Sequence, residues 1–348
     1  MSAAAITRRE FGTLSDGRAV FEYTLDNGRG LRLVVIELGA IVTQLWTPDR
    51  FGESANIVLG FETLRDYELR NSSYLGVVAG RYANRIAGAR FAIDGREYRV
   101  DANNGAHCLH GGTLGLGTQL WSAKPQPPGR AGELSLLMSY SSCDGEMGFP
   151  GRLVVAVRYT LDAENAWRID YEARTDQPTV CNLTSHAYFN LAGRGGVLGH
   201  MLQLHASRYI EPDATGIPIA LRSVEGTRFD FRTARCIADV NFDHHWVLDA
   251  PQDGRMHRAA VLACAASGRE MTLFTTEPGL QFYAGTWLDG SLTGHGGEVY
   301  AQGAGLCLET QHAPDSPNRA PGPDWPSTVL RPGDVYRSST LHRFAVRT

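Results

Sequence analysis

Glutamate and histidine are the side chains that most readily exchange protons near neutral pH, and this chain sets one of each inside an apolar, strand-like run. Glu309 lies in Leu306-Cys307-Leu308-Glu309-Thr310-Gln311-His312. On a strand, Cys307, Glu309 and Gln311 share one face and Leu306, Leu308 and Thr310 share the other. A carboxylate in such surroundings needs a partner or a cavity, because an unpaired buried charge is costly. His186 lies in Asn182-Leu183-Thr184-Ser185-His186-Ala187-Tyr188-Phe189-Asn190. Three further polar patches interrupt apolar runs: Gly80-Arg81-Tyr82-Ala83-Asn84-Arg85-Ile86, Cys108-Leu109-His110-Gly111-Gly112 and Asp243-His244-His245. Singly, each has an ordinary reading. Glu309 fits a salt-bridged or edge-exposed glutamate, His186 a hydrogen-bonded structural histidine, and Asn84-Arg85 a surface turn.

Other chemistries find little support in the sequence. There is no GxxxxGK[ST] phosphate loop, and the glycines of 193–199 lack both the GxGxxG spacing and a surrounding βαβ unit. In Asp243-His244-His245 a strand would put Asp243 and His245 on one face, which is two ligands and not a closed metal site. No HExxH and no GxSxG elbow occurs. The expectation is catalysis without metal or cofactor.

Positioning these residues falls to strands. Alternation of period two marks Leu31–Ile36, Glu133–Tyr140, Arg152–Leu161, Trp167–Arg174, Glu270–Thr276 and Tyr336–Arg347. Asp26-Asn27-Gly28 and Asp94-Gly95 separate such runs as hairpin turns do. Only Glu62–Leu69 suggests a helix, a short one. The 39 glycines in 348 residues suit a fold of many tight turns better than long helices. The predicted class is all-β, a large twisted β-sandwich with few short helices. No repeat or linker is visible, so 1–348 reads as one domain. Lys124–Gly132 and the proline-rich Ala313–Ser327 read as loops, the second placed where a loop would line a site.

Bulk properties narrow the partners. A net charge of −4, with no concentrated basic patch, disfavours nucleic acid and anionic membranes. No run approaches ~18 apolar residues, and the N-terminus shows no secretory signal. Cys108, Cys143, Cys181, Cys236, Cys264 and Cys307 are widely spaced, as buried reduced thiols are. The expected location is the cytoplasm. Monomer and homodimer are equally compatible.

Taken together, the patches resemble the aldose 1-epimerases, or galactose mutarotases. The resemblance runs from about Phe11 to the last strand, through GRYANRI (80–86), LHGG (109–112), NLTSHAYFNL (182–191), VEGTRFDFR (224–232), the Asp243 region, TEPGLQFYAG (276–285) and CLETQHAPDSPN (307–318). It implies a β-sandwich with an open cleft for a free aldose. It implies Glu309 as general base and His186 as general acid. It assigns Asn84, Arg85, His110, Asp243 and Gln281 to contacts with the sugar.

The residue types suit that chemistry. A pyranose opens when its C1 hydroxyl loses a proton and its ring oxygen gains one, so the reaction calls for a base and an acid on opposite sides of one acetal carbon. An arginine near the ring oxygen would stabilise charge developing there. Departures from the family pattern occur at His107, Ser185, His245, Trp246, Ala284, Thr286 and Trp287, and they bear on which sugar is preferred. Three alternatives remain open on sequence: a non-catalytic sugar-binding protein on the same fold, a sugar-phosphate epimerase with extra arginines at its site, and a glycoside hydrolase or lyase using Asp243 with Glu309.

Overall fold

The computed structural model describes residues 4–129 and 132–347. The sequence expectations for Met1–Ala3, and the Arg130-Ala131 part of the proposed Lys124–Gly132 loop, lie outside the described residues. Antiparallel strands dominate, in three larger sheets. The largest has nine strands, in the order Ser122–Pro125, Leu134–Ser142, Leu153–Leu161, Ala166–Thr175, Tyr336–Val346, Arg269–Thr275, His257–Ala263, Met201–Leu204, Arg235–Cys236. A six-stranded sheet runs Tyr188–Phe189, Leu306–Gln311, Gly279–Tyr283, Asp243–Val247, Arg208–Pro212, Pro218–Ser223. A five-stranded meander covers residues 5–56.

Side-chain alternation explains the packing. On the six-stranded sheet Trp246, Leu280, Phe282, Leu306 and Leu308 point into the main core. There they join Val155, Val157, Trp167, Ile169, Met271 and Leu273 of the nine-stranded sheet. This sheet-on-sheet contact is the expected sandwich. The opposite face of the same strands is left free for polar groups. Arg32–Ile36 is half-buried at its first residue and buried thereafter, as its residue pattern suggests.

The single α-helix among the described residues is Leu64–Arg70. Thr63 caps it by accepting the Asp66 amide at 3.2 Å, and Asp66 in its first turn and Arg70 in its last complement the helix dipole. Asp94-Gly95 joins two strands as a two-residue hairpin with both residues at positive φ.

Two loop expectations need correction. Lys124 and Pro125 are not loop but strand: they pair with Leu137 and Leu136 at a sheet edge, where a proline's missing donor is tolerated. Ala313–Ser327 does not border the cavity that holds the candidate site. It braces the 82–87 segment from behind: Asp315 accepts the Ala87 amide at 2.9 Å, and Tyr82 donates to the Ala313 carbonyl at 2.8 Å. The prolines there stiffen a buttress. No helix among the described residues is long and apolar enough to cross a membrane.

Candidate active site

Strand register assembles the floor of the site. In the six-stranded sheet Gln281 stands opposite Glu309, His245 opposite Gln281, and Tyr283 opposite both Asp243 and Cys307. Residues directly opposite one another point to the same side. Asp243, His245, Gln281, Tyr283, Cys307 and Glu309 therefore share the polar face, back to back with the core-facing leucines and phenylalanine. His244 points to the other side, against Phe229 and Trp246.

His186 arrives from a different direction. It follows the two-residue strand Thr184–Ser185, and its backbone is pinned to Val77 and Gly76 by hydrogen bonds of 2.9 and 3.1 Å. This sets its Nε2 3.8 Å from Glu309 Oε1. Its Nδ1 lies 3.5 Å from the Cys307 thiol. His110 packs edge-on to His186, with ring centroids 5.0 Å apart, and Tyr74 covers both rings. The two groups at the centre are nearly fully buried, with Glu309 2% and His186 5% exposed.

Tyr74, His110, His186, Asp243, Tyr283 and Glu309 border one open cavity of about 710 Å³, together with Asn84, Arg85 and Trp287. Asn84 and His110 adopt the left-handed backbone, φ 65° and 52°, a conformation that collects at functional sites. Arg85 reaches Asn104 Oδ1 through Nε at 3.1 Å. Gln281 is buried beneath the cavity and donates from Nε2 to Asp243 Oδ1 at 2.7 Å. Six of the seven residues singled out from the sequence thus surround one space, and the seventh supports one of them from below.

Burial dominates the electrostatics. It pushes the Glu309 carboxyl well above the usual carboxylate range, with the Asp243 charge adding to the effect and Arg85 opposing it. It pushes His186 down to about 4, against the weaker pull of its own backbone and of Asp243. His110 is held well below the ordinary histidine range by burial, then by His186 and Arg85. Burial, with Glu309 and Asp243, keeps Cys307 a thiol.

His110, His186 and Glu309 each offer a ligand atom within 4.8 Å of the others, the spacing of a metal-binding cluster. The donor set argues otherwise. The Asn84 amide donates to His110 Nδ1 at 3.2 Å, so the neutral ring carries its proton on Nε2. That nitrogen is a hydrogen-bond donor and offers no lone pair to a cation. The arrangement suits hydroxyl oxygens better.

Comparison with known proteins agrees with this geometry. The aldose 1-epimerase family profile matches residues 22–343. The chain belongs to the aldose 1-epimerase family. It is 40% identical to the galactose mutarotase of Rattus norvegicus, over 98% of this chain and 99% of that protein. It is 37% identical to the aldose 1-epimerase of Escherichia coli K12, over 94% and 96%. Among solved structures, an aldose epimerase homologue from C. elegans superposes with a TM-score of 0.84 at 31% identity, covering 92% of this chain and 97% of that one. A galactose 1-epimerase from Lactobacillus acidophilus gives the same TM-score at 26% identity, over 99% and 100%.

Several residues that border the cavity escape sequence reasoning. Tyr74, Asn104 and the turn Pro212–Gly216 also border the cavity, and nothing in their local pattern marks them out. His107 and Trp287 carry a signal as departures from the family pattern, and both border the cavity, with Trp287 75% exposed at its mouth. Ser185, His245, Trp246, Ala284 and Thr286, also departures, do not border it. Trp246 is buried in the core, and His245 is buried beside Gln281 on the neighbouring strand.

Proposed function

We propose that this chain is an aldose 1-epimerase that interconverts the α and β anomers of a free aldose, with Glu309 as base and His186 as acid. The observation that supports it is the 3.8 Å separation of the two groups on the floor of one cavity. They stand side by side rather than on opposite sides of a carbon. This spacing lets each reach one of two oxygens bonded to the same carbon within hydrogen-bond distance.

The steps balance within the pair. Glu309 takes the proton of the C1 hydroxyl as the C1–ring-oxygen bond breaks and C1 becomes a carbonyl. His186 gives its proton to the departing ring oxygen. Rotation about C1–C2 turns the aldehyde over. The C5 hydroxyl of a hexopyranose then adds to the other face, returning its proton to His186 while Glu309 reprotonates the C1 oxygen. The pair holds one proton throughout. Burial favours the form with neutral imidazole and protonated carboxyl, which is the form that accompanies the open-chain sugar. Ring opening therefore converts the ion pair to the neutral pair, and reclosure restores it.

Asn84, Arg85, His110 and Asp243 are placed to hold the sugar hydroxyls and ring oxygen, and Gln281 to orient Asp243. The contribution of residues from 74 to 309 to one cavity supports treating the chain as one domain. Arg85 is the only arginine or lysine bordering the cavity among the described residues. This speaks against a sugar phosphate, whose recognition calls for several convergent cations. Polarimetry on freshly dissolved α-glucose, α-galactose and other aldoses tests the reading. Acceleration over buffer supports it, and equilibration at the buffer rate with every aldose sinks it.

A further inference from the structure

Two turns face each other across the cavity mouth. One is the tight turn Asn104–His107, closed by reciprocal backbone hydrogen bonds of 3.0 Å. The other joins strands Arg208–Pro212 and Pro218–Ser223 and contains Asp213, Thr215 and Gly216. A directional chain of hydrogen bonds connects them. The Gly88 amide, which can only donate, reaches His107 Nδ1 at 3.0 Å. The neutral ring therefore carries its proton on Nε2, and Nε2 lies 3.0 Å from Thr215 Oγ1. The Thr215 hydroxyl gives its own proton to Asp213 Oδ1 at 2.7 Å. Asp213 Oδ1 also accepts the Thr215 and Ile217 amides at 2.8 and 3.0 Å, which anchors the carboxylate. Each donor has one acceptor, and none of the four groups can reverse its role.

The same two turns grip Arg85. Asn104 accepts from its Nε at 3.1 Å. On the other side Gly216, at φ 85°, approaches so closely that a Cβ there would lie 2.8 Å from the guanidinium carbon. Arg85 is thus held between the turns, and the His107–Thr215 bond fixes the distance between them.

We propose that His107, Thr215 and Gly216 form a latch that holds the Arg85 guanidinium in its working position over the sugar. They are positioning residues, acting through Arg85 and touching no reacting atom. The proposal rests on the reading of the cavity as the aldose site.

The test measures kcat and KM for mutarotation in wild type, His107→Ala, Thr215→Val and the double variant. The same substitutions are then made in an Arg85→Lys background. Each single substitution should lower kcat/KM by about 10-fold, within the range that displacement of a positioned group produces. The double variant should lose no more than the worse single, because both break one bond. In the Arg85→Lys background the substitutions should cost nothing further. Wild-type kinetics in both singles overturns the latch. So does an equal loss in the Arg85→Lys background, since the residues would then act elsewhere. Amide hydrogen exchange at Thr215–Ile217 reads the latch without any sugar: faster exchange in His107→Ala supports it, and unchanged exchange counts against it. A wild-type protein that equilibrates no aldose, yet shows this exchange difference, would refute the assigned function and leave the latch standing.

Discussion

Glu309 pays twice for its place in the sheet, once in desolvation and once in repulsion from Asp243. Both effects make it a worse component of the folded state and a better proton acceptor during turnover. Its folded pKa lies above the value of about 4.3 expected in the unfolded chain. The folded state is therefore penalised progressively as pH rises through and above that unfolded value, and relieved below it. Glu309→Gln should raise Tm at pH 7, and the gain should vanish near pH 3, as followed by calorimetry. The same substitution should lower kcat by about 10²–10⁴-fold while sugar binding persists, because amide and carboxylate share a shape. His186 supplies a second expectation. The substrate-free enzyme is active only while the pair carries one proton, and a second proton enters when His186, at about 4, becomes charged on the acid side. The acid limb of log kcat/KM should then fall near pH 4 and not near the ordinary histidine value of about 6.5. A limb near 6.5 would mean that an exposed histidine governs the rate.

At the scale of elements, the strands Asp243–Val247, Gly279–Tyr283 and Leu306–Gln311 serve two purposes at once. Their odd-numbered positions in 243–247, 279–283 and 307–311 carry the polar face, and the alternate ones carry the core. Gly279 shows how tightly that face is filled. A Cβ at this position would sit 2.1 Å from His245 Nε2, and His245 is itself buried beside Gln281. Gly279→Ala should therefore destabilise the protein by about 1–3 kcal/mol, the usual range for overpacking. Denaturant unfolding would measure it, and a wild-type midpoint would show that the imidazole has room to turn. This alternation is also what made half the site legible in the sequence. Leu306 and Leu308, four and two positions before Thr310 on the alternate face, mark the side of the strand opposite to Glu309. His186 is different. Its flanking strands are two residues each, too short to display a period, so its position could come only from the resemblance of the NLTSHAYFNL stretch. The proline-rich 313–327 segment misled for a similar reason: stiffness is visible in a sequence, but the surface it is pressed against is not.

For the whole molecule, the informative property is convergence of distant segments. Tyr74, Asn84, His110, His186, Asp243 and Glu309 meet around one space. No local rule joins them, so nothing in the sequence around Asn104 or 212–216 marks those residues as bordering the cavity. Charge behaves more simply. A net charge of −4 and a single cation at the cavity leave little long-range field for an uncharged sugar to feel. The ratio kcat/KM for glucose or galactose should change less than about twofold between 20 and 500 mM NaCl, a range over which screened charge steering would collapse. A steep salt dependence would point to an ionised substrate.

The double duty of the three floor strands divides what can vary from what cannot. A one-residue slip in any of them would exchange the reactive groups for leucine and phenylalanine and open the interior in the same stroke. At the mouth Gly105, Ala106, Ala214 and Trp287 border the cavity from connecting segments and make none of the contacts of the Arg85 latch. Retargeting this enzyme to another pentose or hexose by directed evolution should therefore begin with libraries confined to those positions, leaving the latch and the strands beneath it untouched.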